Sequence, residues 1–125
     1  MKTFPVTIGG KTLHLAFTLD ALANMEDLIK NFDISKVSEY ARSPRGLGDL
    51  VYCMAEQGEL LEGRELSVSR AWIGAHLPPS PVKAAKIQIV VLNALADGLS
   101  MEAESEEEQG EVDVTLEEIK KNGNT

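Results

Sequence analysis

The chain has 125 residues, a net charge of −8, 43% hydrophobic side chains and one cysteine. That length holds one compact domain, and the lone Cys53 excludes an internal disulfide and suits a reducing compartment. A net-negative chain without clustered Lys/Arg excludes nucleic acid or an anionic membrane as the main partner. Met1–Val6 lacks the apolar core of a signal peptide, and the longest apolar stretch is too short to span a bilayer.

Phe4, Val6 and Ile8 alternate with polar positions, and the alternation resumes after Gly9-Gly10 at Leu13, Leu15 and Phe17. This predicts a two-residue hairpin whose register pairs Ile8 with Lys11, Val6 with Leu13 and Phe4 with Leu15. Pro5 falls opposite His14, as suits an edge strand. A lone hairpin is marginal in water. Its apolar face must pack on the following helices, or its free edge pairs with another copy in weak self-association.

From Thr18, an expected N-cap, the period lengthens to about 3.6. Leu22, Met25, Ile29 and Phe32 share one helical face, and Asp33 is placed to cap a short second helix carrying Ile34, Val37 and Tyr40. Ser43-Pro44 reads as a stop. A third helix is expected from about Leu47 to Gly58, followed by a charged, glycine-punctuated connection. Ser67 or Ser69 then opens a short helix holding Trp72 and ended by Pro78-Pro79. Pro81, after Ser80, starts a helix to about Leu99 that is apolar nearly all round, the signature of a central, buried element.

The expected fold is therefore mainly α with an N-terminal β-hairpin, an α+β arrangement of four to five helices. Its long buried C-terminal helix is the organising element. Residues 1–101 form the globular domain. Residues 102–125 form a disordered acidic tail, with a short helix over 115–121 where Thr115 and Glu118 have capping-box spacing. Residues 101–125 alone sum to −7, whereas residues 1–100 sum to −1. Such a run repels itself and buries little.

Chemistry-bearing patterns are absent. Gly46-Leu47-Gly48 lacks the strand, third glycine and lysine of a phosphate loop. One cysteine and two distant histidines offer no zinc spacing. His14 reads as a solvent-facing strand residue, His76 as a helix C-terminal residue and Cys53 as a small core hydrophobe. No catalytic, cofactor or metal residue is expected, and the protein is not expected to be an enzyme. Trp72 serves as a core anchor or an interface hot spot. Candidate partner contacts are Trp72, Glu106, Glu107, Glu108, Leu116 and Ile119.

Val6-Thr7-Ile8-Gly9-Gly10-Lys11 followed by Leu15-Ala16-Phe17-Thr18-Leu19-Asp20-Ala21-Leu22 resembles the opening of small tail assembly chaperones of long-tailed bacteriophages and prophages. Leu50–Ala55 and Val68–Gly74 resemble that family's next two helices, so the likeness spans most of residues 3–100. The Pro-Arg-Gly-Leu-Gly entry to the third helix and the diproline before the last one depart from it. The resemblance implies a non-enzymatic, cytoplasmic factor of the bacterial host that transiently binds the tape-measure protein and the tail-tube subunits formed by the major tail protein. It also implies a longer frameshifted product in many members. Two other readings compete: a structural tail or head-tail connector protein whose hairpin augments a neighbour's sheet, and an acidic regulator or DNA mimic.

Overall fold

The computed structural model describes residues 2–104. The chain divides into two compact units, Met1–Leu95 and Ala96–Thr125. The first unit begins with the antiparallel pair β1 (Phe4–Ile8) and β2 (Lys11–Leu15), in the register Phe4↔Leu15, Pro5↔His14, Val6↔Leu13, Thr7↔Thr12 and Ile8↔Lys11. Gly9 and Gly10 have φ of 56° and 81°, the double positive φ that a tight hairpin turn demands. Val6, Ile8, Leu13 and Leu15 are buried on one face.

Helix α1 spans Leu19–Leu28, with the Thr18 hydroxyl accepting from the Ala21 N–H at 3.1 Å. It stops short of the expected Phe32 because Ile29 turns extended and Asn31 takes φ 55°, a left-handed conformation that asparagine tolerates. Phe32 instead stacks on Tyr40 at 5.3 Å. Asp33 does cap the next segment, accepting from the Ser35 N–H and hydroxyl. That segment is a 3-10 turn, Ile34–Lys36, leading into α2 (Val37–Arg42), rather than one helix.

Ser43-Pro44 ends α2 and also begins α3, which runs from Pro44 to Leu61. Ser43 is extended, as a residue before proline prefers and as an N-cap requires, and its hydroxyl accepts from the Gly46 N–H at 3.0 Å. Helix α3 continues through Gly58, where a Cβ would collide with the backbone of His14 and Leu15. The glycine lets helix and strand touch; it does not end the helix. Helix α4 (Arg70–His76) is capped by Ser69, and α5 extends from Pro81 to Glu104.

The organising element is α3, which packs against β2, α1, α2 and α4. Its Leu50, Val51, Cys53, Met54 and Ala55 are almost wholly enclosed. It also closes the outer edge of β2, where the Ala16 N–H donates to the Met54 carbonyl at 3.1 Å and the His14 N–H to Glu59 Oε2 at 2.8 Å. Helix α5 is the long C-terminal helix expected and is buried along Ile87, Val91, Ala94 and Leu95. Val82, Ile89 and Leu92 face outward, so its apolar girth is not matched by burial all round.

Candidate docking groove

Where the α2–α3 corner meets the α4–α5 connection, an apolar groove of about 550 Å³ opens. Four of the chain's five prolines line it: Pro44, Pro78, Pro79 and Pro81. Proline offers an apolar ring, no N–H donor and a fixed φ, so these walls need few polar partners and are preformed. Leu47 and Leu77 add to the apolar lining, and Ala84 and Gln88 of α5 supply one side.

The groove's flank continues onto the outer surface of α5. Gln88 and Leu92 are one turn apart, and Val82, Ala85, Ile89 and Leu92 follow helical spacing. Val82 is 75% exposed and Ile89 58%. Among the described residues, Arg42 is the one charged side chain lining the groove. The separation of α3 and α4 is set by the Arg70 guanidinium, whose Nε donates to Asp49 Oδ1 at 2.7 Å and whose Nη2 donates to the Arg45 carbonyl at 3.2 Å. Gly48 and Gly74 make room for it, since a Cβ at either would stand 2.6 or 2.7 Å from its nitrogens.

A second polar cluster lies at the other end of α3. Glu59 Oε1 accepts from Arg64 Nε at 2.8 Å, while its Oε2 stands 2.9 Å from His14 Nδ1, a nitrogen that Arg64 Nη2 also approaches at 3.1 Å. Burial pushes the Glu59 carboxyl up, but the hydrogen bonds from Arg64 and His14 outweigh it and hold its pKa below the ordinary value. His14 is thus half-buried in an ion network, not the solvent-facing residue expected. Cys53 is enclosed, as expected for a small core hydrophobe, and burial with nearby Glu56 and Asp49 pushes its thiol up to about 12. Beside it Asn24, Asp27, Tyr52 and Glu56 line a shallow recess of about 280 Å³. Among the described residues no group of three or more His, Cys, Asp or Glu is arranged to hold a metal ion, and no helix is long and apolar enough to cross a membrane.

Trp72 does not line the groove. It lies roughly 160° around α4 from Gly74, packs half-buried against the core and stacks on the exposed His76 at 4.0 Å. His76 Nδ1 donates to the Trp72 carbonyl at 2.8 Å. Glu106, Glu107, Glu108, Leu116 and Ile119, the expected 115–121 helix and most of the acidic 102–125 tail lie outside the described residues. The groove itself escaped the sequence reading. Its signal was the proline set, but Pro44 and Pro78–Pro81 are distant in sequence and only tertiary packing brings them together. No family model, curated protein or solved structure matches the chain.

Proposed function

We propose that the protein is a non-enzymatic tail assembly chaperone of a long-tailed phage or prophage, acting in the host cytoplasm. Its groove transiently covers an apolar helical face of the tape-measure protein and of tail-tube subunits. The observation that carries this reading is the preformed, proline-walled groove running into the exposed Val82–Ile89–Leu92 surface of α5. Exposed apolar surface that continues beyond a pocket suits a helix laid along it better than a small molecule, which is normally enclosed on most sides. The resemblance of the hairpin and the α1, α3 and α4 blocks supplies the biological setting.

The competing reading, a permanent ring built by strand addition, draws less support. Strand addition needs a free row of N–H and C=O groups. The outer edge of β2 is taken by α3, and β1 carries Pro5, which has no N–H to offer.

The test is co-expression with the very long, coiled-coil-rich protein encoded beside the major tail protein. The expected result is a soluble complex that co-elutes and later dissociates as tube subunits are added. A long partner that stays insoluble while this chain elutes alone overturns the assignment.

A further inference from the structure

We infer that the groove selects amphipathic helices carrying carboxylates beside their apolar face, with Arg42 as the pairing cation at its rim. The inference rests on the reading that the groove is the partner-binding surface. It goes further by specifying the partner's chemistry.

Charge is sorted along the fold. From Leu66 to Ala96, which includes all of α4 and most of α5, the sequence holds no aspartate or glutamate, yet it holds Arg70, Lys83 and Lys86. The corner from Tyr40 to Gly48 likewise has Arg42 and Arg45 and no acid. These are the two stretches that build the groove. Arg70 is committed to Asp49. Among the described residues none of Arg42, Arg45, Lys83 and Lys86 forms an ion pair. Lys86 lies one turn from Val82 and three residues from Ile89, so it flanks the outward apolar stripe.

Residues 1–100 contribute only −1, and at physiological salt charges farther apart than about 8 Å are largely screened. Rim charges therefore decide which helix is accepted at contact, while the apolar lining supplies most of the attraction. A helix with glutamates flanking its apolar stripe pairs with Arg42 and Lys86. One with lysines there sets like charges against each other.

The experiment titrates the full chain into two dye-labelled helical peptides, read by fluorescence anisotropy. Both carry leucines at i, i+3, i+4 and i+7; glutamates flank the stripe in one and lysines in the other. The glutamate peptide is expected to bind roughly fivefold tighter, as a pair of exposed ion contacts provides, with the advantage shrinking as salt rises. Arg42→Glu, at an exposed position, should abolish or reverse that order with unchanged circular dichroism. Lys11→Glu on the hairpin should leave it intact. Equal binding of the two peptides, preference for the lysine peptide, no binding of either, or an identical response to both substitutions overturns the inference. So does a dimer at micromolar concentration that Arg42→Glu dissolves, which gives the groove to a second copy. If the glutamate peptide binds as expected while the long tail protein is never captured, the tail-assembly assignment falls and this inference stands.

Discussion

Gly58 carries the helix–strand contact on which the core depends. Any side chain there meets the His14 carbonyl and the Leu15 backbone nitrogen, and backbone cannot step aside as a flexible side chain would. Gly58→Ala should therefore destabilise by about 3 kcal/mol through overpacking, measurable as a lower denaturant midpoint with unchanged slope. One residue on, Glu59 makes the pH dependence. Its folded pKa lies below the ordinary 4.5, so its stabilisation is fully present above that value and is lost as pH falls through the folded pKa. Glu59→Gln should flatten this acid limb of the stability curve; an unchanged limb in urea melts across pH would assign it to other carboxylates. Neither role is visible in sequence. A glycine near a charged segment reads as a stop, and a glutamate forty-five residues from His14 announces no partner.

At the scale of elements, one dipeptide performs two tasks. Ser43 leaves α2 extended and in that same conformation caps α3, with Pro44 pre-set for the first turn. Removing the hydroxyl in Ser43→Ala leaves the Gly46 N–H without its acceptor and should lower stability by about 1 kcal/mol, seen as a Tm drop of several degrees. The caps at Thr18 and Asp33 were legible because capping is local chemistry, and of the two serines expected to open α4 it is Ser69 that caps it. The end of α1 was not, because the left-handed turn at Asn31 competes with an apolar period that continues to Phe32.

At the scale of the molecule, α5 joins the core to the groove. Its inner stripe of Ile87, Val91, Ala94 and Leu95 is buried, whereas Ile89 stands outward. Ile89→Asp should therefore change stability by no more than about 0.5 kcal/mol and yet weaken capture of the helical partner. Equal loss of Tm and of capture would make Ile89 a folding residue instead.

The sequence alone determined the hairpin and its register, the caps at Thr18 and Asp33 and the mainly helical class, because each depends on neighbours within a few residues along the chain. Which helix is central was decided only by tertiary structure. Helix α3 carries Asp49 and Glu59 on buried positions, and they look like surface residues until Arg70, His14 and Arg64 arrive to pair with them. The apolar girth of α5 pointed to the centre of the fold, but burial depends on what packs against each side, and its outer side stays exposed at Val82 and Ile89. The groove arose in the same way, from prolines that meet only once the corner at Ser43 and the turn at Pro79 are folded together.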